Sequence, residues 1–224
     1  KADELKKADI IDYAKRRRFD AENPVVPATV NQDLCYLSGV LKYAGSAWDD
    51  CEEVSVAAIE AARPFLVKHN LLGKSEPRTR LPTADELDRL IAWHVEKDKR
   101  SKVRMVEVIL FSLESTRRQS EICSIRHGDI DWDRVDAQGN ATPMYLCRSM
   151  KHPTRKATNH KWFPVTANLA EIIRRQPRLA PDNPDERVFP FRAKTVSKRY
   201  TDSKKALGIT NLRFHDNRAE AITR

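Results

Sequence analysis

Three short stretches of this 224-residue chain carry residues that handle anions, at spacings that could let them act together. In Glu114-Ser115-Thr116-Arg117-Arg118-Gln119-Ser120-Glu121-Ile122-Cys123 an apolar helical pattern stops, a turn follows, and a new helix begins with an arginine just before it. An arginine at such a turn can extend a planar guanidinium fork, while Glu121 pins the local backbone or a neighbouring side chain. In Met150-Lys151-His152-Pro153 a lysine opens a hairpin loop between two strand patterns, where it can swing into a cleft and give up a proton. In Arg213-Phe214-His215-Asp216-Asn217-Arg218 the imidazole and the second arginine lie three apart at a helix start, on the same side of the turn. That pairing is costly unless both groups face an anion. Each stretch also has a plainer reading: an ion-paired surface arginine, a solvated hairpin lysine, a histidine capping its helix with Arg218 at the surface.

The elements that must position these residues follow from apolar spacing and from breaks. Residues 1–73 read as helical throughout. Ile10, Ile11 and Tyr13 sit in a first helix that ends in the basic run Lys15, Arg16, Arg17 and Arg18; Pro24 and Pro27 then break the chain. A second helix is expected to open at Thr29 as N-cap and to carry Leu34, Leu37, Val40 and Leu41 at helical spacing. A third covers Val54 to about Val67, and Leu71-Leu72-Gly73 closes the unit. Residues 74–82 contain Pro77 and Pro82 without an apolar period, and read as an extended basic linker. Thr83 and Glu86 form a capping box for a helix whose apolar face is Leu87, Leu90, Ile91 and Val95. Another apolar helix spans about Val103 to Leu113. The period then changes. Short strands are expected at Asp129–Trp132, Met144–Met150 and Lys161–Val165, and helices return at Leu169–Arg175, at Val196–Leu207 and from about Asn217. The fold class is mainly α: a small all-helical N-terminal domain over 1–73, then an α+β domain over 83–224 with a small antiparallel sheet.

Charge is distributed as unevenly as the elements. Residues 1–73 carry 10 Lys/Arg against 12 Asp/Glu, a net −2, whereas 83–224 carry 28 against 19, a net +9 equal to that of the whole chain. A polyanion such as nucleic acid is one natural partner for that segment, and solubility is the other use of such a surface. No run approaches the roughly 18 apolar residues of a membrane span. The charged start KADELKKADI lacks the apolar core of a secretory signal. Cys35, Cys51, Cys123 and Cys147 form no CxxC pair and are expected to be buried, reduced thiols. The six histidines form no HxxxH or HExxH pair, so no metal site built by the chain is expected. These features read as those of a soluble, intracellular chain, and a cytoplasmic location is expected.

In order, these motifs resemble the tyrosine recombinase, or phage integrase, catalytic domain: TxR-x-SE, a strand–lysine–hairpin–strand ending in Pro-Val, and HxxR at a helix start. The flanking text is similar as well. "PATVNQDLCYLSGVLKYA" resembles the family's helical core-binding domain, "MKHPTRKATNHKWFPVT" its lysine hairpin, and "LGITNLRFHDNRAEAITR" the box holding its histidine and second arginine. The resemblance covers nearly the whole chain. It implies a site-specific recombinase in which a tyrosine hydroxyl attacks a DNA phosphodiester, leaving a 3′-phosphotyrosine and a free 5′-hydroxyl, for integration or excision of a phage or mobile element. Carried over, Arg118 is the first active-site arginine, with Arg117 the competitor should the register shift by one. Lys151 is the hairpin lysine, and His215 and Arg218 are the HxxR pair. No cofactor is implied. The partners implied are double-stranded DNA core sites in the bacterial host cytoplasm, and a homo-tetramer on paired sites.

The five tyrosines, Tyr13, Tyr36, Tyr43, Tyr145 and Tyr200, all precede the HxxR box, so the nucleophile is expected beyond Arg224. A truncated start at Lys1 is expected too, with no arm-binding domain within these residues. Candidate DNA contacts are Lys15, Arg16, Arg17, Arg18, Thr29, Asn31 and Lys42 in the first domain and Arg78 and Arg80 in the linker. Two other classes stay open: a non-cleaving DNA-binding relative that keeps the clamp, and a type IB topoisomerase.

Overall fold

The computed structural model describes residues 5–48, 56–101, 103–152, 154 and 157–223. The chain divides into two compact units, Lys1–Arg78 and Thr79–Arg224, and the division falls within the basic 74–82 segment.

In the first unit, helices α1 (Lys7–Arg18), α2 (Pro27–Ala47) and α3 (Ala57–Lys68) bury Ile10, Ala14, Val30, Leu34, Ile59 and Leu66 against one another, and Leu71 and Leu72 close the cluster. Helix α2 opens two residues before the expected Thr29 cap. Pro27 takes the first helical position, where its fixed φ suits the helix and its missing N–H is no loss, so Thr29 falls inside the first turn. Leu34 and Leu41 point inward, but Val40 is 64% exposed, because the helix turns it onto the same outer face as Tyr36 and Tyr43. Cys35 also lies on the solvent side of α2, contrary to the expectation of burial, with its sulfur 3.9 Å from a guanidinium nitrogen of Arg63. Cys51 and Val54 lie outside the described residues.

The second unit is built around helix α5 (Met105–Ser115), which packs against α4 (Ala84–Asp98), α7 (Ala167–Arg174) and α9 (Asp216–Thr223); α6 (Gln119–Ile122) and α8 (Ala193–Ala206) are the other α-helices among its described residues. The capping box of α4 is present, Thr83 Oγ1 accepting from Glu86 N–H at 3.2 Å and Glu86 accepting from Thr83 N–H at 2.9 Å. Three short strands, β1 (Ile130–Asp131), β2 (Met144–Cys147) and β3 (Lys161–Pro164), pair antiparallel in that order, with Tyr145 opposite both Ile130 and Phe163. Phe111 meets Tyr145 and Phe189 edge-on at 5.9 and 5.3 Å, fastening sheet and helix into one core. The strands are shorter than their sequence pattern. At the end of β2, Arg148 turns to the buried carboxylate of Asp129 (Nε–Oδ1 2.8 Å), and Ser149 adopts φ +50°, which interrupts the ladder. Pairing resumes for one rung at Met150 N–H to Asn159 C=O, 2.8 Å. Among the described residues no helix is long and apolar enough to cross a membrane.

Two buried features were not anticipated. On the inner face of α4 the residue beside Leu87 and Leu90 is His94, fully buried, while Val95 is 44% exposed. Gly128 packs so closely on Pro184 that a Cβ there would stand 2.7 Å from that residue's Cβ and carbonyl oxygen. Gly128→Ala is therefore expected to destabilise the second unit by about 1–3 kcal/mol, as measured by urea unfolding.

Candidate active site

Helix α5 ends because Thr116 takes a left-handed conformation, φ +56°, which a β-branched residue adopts only at a cost. The reversal throws Arg117 and Arg118 outward from a helix whose other end is locked in the core. The two arginines then part company. Arg117 folds back: its Nε donates to Ser115 C=O at 2.9 Å, an Nη donates to Thr116 Oγ1 at 2.8 Å, and its guanidinium carbon stands 3.8 Å from the Phe163 ring centroid on β3. Arg118 is the N-cap residue of α6. The buried Glu121 does both things its position suggested. One carboxylate oxygen accepts from Arg118 N–H at 3.0 Å and the other from its guanidinium at 2.8 Å.

The second arm of the site comes from α9, whose first turn is fixed from inside. Asn217, fully buried, accepts from Tyr200 O–H at 3.0 Å and donates to Ser112 Oγ on α5 at 3.3 Å. Asp216 accepts from Arg213 N–H at 2.8 Å, and Phe214 meets Tyr200 edge-on at 5.3 Å. With Phe214, Asp216 and Asn217 held inward, His215 and Arg218 emerge on the opposite side. Tyr200 is thus a buried strut, its hydroxyl committed and its pKa pushed up by burial. Tyr200→Phe is expected to cost about 1–2 kcal/mol by leaving Asn217 under-satisfied, with the loss read as a lower unfolding midpoint.

The two arms meet. Arg117, Arg118, Gln119, Phe214, His215 and Arg218 line one cavity of about 250 Å³, and no carboxylate is among its lining residues. Arg218 shows what this convergence means physically. Its pKa is lowered, first by loss of water and next by the charge of Arg118, with Glu121 pulling the other way and Arg117 adding a smaller push down. Three guanidiniums sharing one partly dry pocket are stabilised by an anion between them. Lys151 is exposed one residue past the buried Met150, at the root of the hairpin, and is not among the residues lining this cavity. Pro153, Arg155 and Lys156 of the hairpin lie outside the described residues.

The other positions singled out in the sequence differ in their partners and in their exposure. Arg17 is paired with Asp33 at 3.2 Å, and Arg18 donates to Val25 C=O. Asn31 accepts from Arg63 at 3.2 Å, and Arg80 is engaged with Glu86 and with Leu81 C=O. Lys15, Arg16, Lys42 and Arg78 are exposed, and Thr29 is half-buried. The buried thiols behave as expected, since burial pushes Cys123 up to about 11 and Cys147 up to about 12.

A mainly helical unit with this small sheet and this arginine-lined pocket has the fold of the tyrosine recombinases. The Tn1549 transposon integrase in complex with transposon right end DNA superimposes with a TM-score of 0.65 at 15% identity, over 100% of this chain and 73% of that one. A lambda integrase tetramer bound to a Holliday junction gives 0.64 at 15% identity, over 99% and 60%. In sequence, the chain is similar to a Haemophilus influenzae protein that carries the name integrase/recombinase, 24% identical over 224 residues, or 99% of this chain and 64% of the relative. The shufflon-specific DNA recombinase of Escherichia coli is 24% identical over 226 residues, covering 99% and 51%. No family model matches. The fold is thus shared with these two integrases, the sequence is similar to these recombinases, and the chain spans between about half and two thirds of the length of the curated relatives it matches.

Proposed function

We propose that this chain is the DNA-binding and phosphate-activating part of a site-specific recombinase that cuts and rejoins duplex DNA through a 3′-phosphotyrosine. The observation that carries the reading is the convergence of Arg118, His215 and Arg218, from two separate stretches of sequence, on one pocket free of carboxylates. In the reaction a tyrosine hydroxyl attacks the phosphorus and loses its proton, while the bond to the 5′-oxygen breaks. Negative charge grows on the non-bridging oxygens, and Arg118 and Arg218 stabilise it with planar paired donors. His215, at the rim of the same pocket, acts as general acid or base toward the attacking or bridging oxygen. Lys151, carried on the hairpin, protonates the departing 5′-oxygen once DNA draws it in. Arg117, tied to Phe163 and its own turn, borders the pocket as a wall, which favours Arg118 as the first arginine.

None of the five tyrosines lines the pocket, and we place the nucleophile beyond Arg224. The solved neighbours named above hold DNA, one of them as a tetramer, and we extend DNA binding and assembly on paired sites to this protein. The test is a nicked suicide substrate. The 224 residues alone should bind duplex DNA with strong salt dependence and form no covalent adduct, whereas a protein extended through its tyrosine should trap one. An adduct formed by the 224 residues alone would overturn the assignment of the nucleophile, and no adduct from the extended protein would overturn the reaction.

A further inference from the structure

We infer that a second cavity beside the first seats the phosphate next to the scissile one on the same strand, and that Arg213 is the side chain that positions it. This rests on the phosphoryl-transfer reading of the first pocket. The second cavity is also about 250 Å³, and it shares Gln119, Phe214 and His215 with the first, so one wall of side chains separates them. Its other lining residues include Ser197, Thr201 and Lys204, spaced along one face of α8, and Arg213 from the loop that enters α9; no carboxylate is among the lining residues.

The parts are held from outside the cavity. Gln119 is fixed at both ends of its amide, donating to Ala193 C=O and accepting from Ser197 Oγ at 3.0 Å, which makes the shared wall firm. Lys204 donates to Leu212 C=O and so clamps the loop, and Arg213 N–H is held by Asp216 at 2.8 Å. The backbone of Arg213 is therefore fixed on both sides while its side chain stays exposed. A firm cavity offering a guanidinium, an ammonium and a hydroxyl suits a singly charged phosphodiester. A DNA strand carries a phosphate at every step, so a strand that crosses the shared wall with one phosphate in the first pocket brings the next one to the second. Holding that non-reacting phosphate fixes which phosphorus faces Arg118 and Arg218, a register function distinct from stabilising the transition state.

The test measures binding of the 224-residue chain to a random-sequence fluorescent duplex as salt is raised. Each phosphate contact contributes about 0.9 to the slope of log affinity against log salt. Arg213→Ala should lower that slope by about 0.9, so that over a fourfold rise in salt the wild type loses about 3–4 times more affinity than the variant. Arg213→Lys should keep the slope, and the melting temperature of both variants should match wild type. If Arg213→Ala leaves the slope unchanged while Arg218→Ala lowers it, the inference is wrong and the first pocket stands. If neither changes it, both the inference and the phosphate reading fail. A lower melting temperature for Arg213→Ala, unrelieved by lysine, would assign the residue a structural role and overturn the proposal.

Discussion

Arg118→Ala and Arg218→Ala, each in a protein extended through its tyrosine, are expected to cut covalent-adduct formation by about 10²–10³-fold while changing duplex affinity by less than about tenfold. The asymmetry follows from what each step needs. Binding spreads over many phosphates, so one lost contact is a small fraction of the whole. The transition state concentrates new charge on two oxygens, and the donors aimed at them act in a pocket that already lacks water enough to lower the pKa of Arg218. A double variant should lose little beyond either single one, since the two forks hold a single group and act as a unit. The comparison also fixes the register. Arg117→Ala should act mainly through stability, because its guanidinium is engaged with Phe163, Ser115 and Thr116. If Arg118→Ala cleaves normally and Arg117→Ala does not, the first arginine has been placed one residue too late.

The second large effect concerns stability rather than chemistry. His94 is fully buried, its Nε2 3.1 Å from Ser203 Oγ and its Nδ1 without a partner among the described residues. Burial, reinforced by the charge of Arg199, lowers its pKa to about 4. The unfolded chain binds a proton at this residue near pH 6.5, and the folded chain does so only near 4. Between those values the unfolded state holds more protons, so stability is fully present above about pH 6.5 and is lost as pH falls toward 4. The loss attributable to His94 is about 3 kcal/mol. Asp98 and Glu107, whose pKa values are raised mainly by burial, act in the opposite direction, so the wild-type profile alone does not isolate the histidine. His94→Gln does. It keeps a hydrogen-bonding group toward Ser203 and cannot ionise. The variant should match wild type within about 1 kcal/mol at pH 7 and exceed it by up to about 3 kcal/mol at pH 4. Parallel profiles from chemical denaturation would show that His94 is not the buried neutral group described.

Much of this was legible in the residues because local rules and tertiary structure agreed. The Thr83–Glu86 box, the turn after Ser115 and the HxxR spacing are local devices, and each stands where its pattern placed it. The misreadings have equally specific causes. Thr29 is a good capping residue, but Pro27 two positions earlier is a better first residue of a helix, and the two compete for one start. Val40 and Val95 fit a helical period that tolerates a face about 100° wide, and only packing decides its edge; the same period counts His94 as polar and so gives no sign of its burial. Cysteine composition alone points to a buried Cys35, yet its side of α2 faces water. The strand after Met144 read as seven residues because Ser149 can occupy either a ladder or a left-handed turn. Most consequential for the site, Glu121 was legible as a residue that pins the local backbone or a neighbouring side chain, whereas Phe163 beneath Arg117 and the Tyr200–Asn217–Ser112 chain behind His215 join elements far apart in sequence. No local pattern points to such contacts.

The claim on which everything else depends is that Arg118, Arg218 and His215 grip one phosphoryl group. Orthovanadate adopts the five-coordinate geometry of phosphoryl transfer and needs no tyrosine to bind. Titrated into the 224-residue chain and followed by side-chain NMR, it should move the Arg118 and Arg218 Nε–H signals and the His215 ring signals along one saturation curve, and that curve should vanish in the Arg118→Ala, Arg218→Ala double variant. Signals that stay still at saturation, or that move independently of one another, would contradict a shared phosphoryl site.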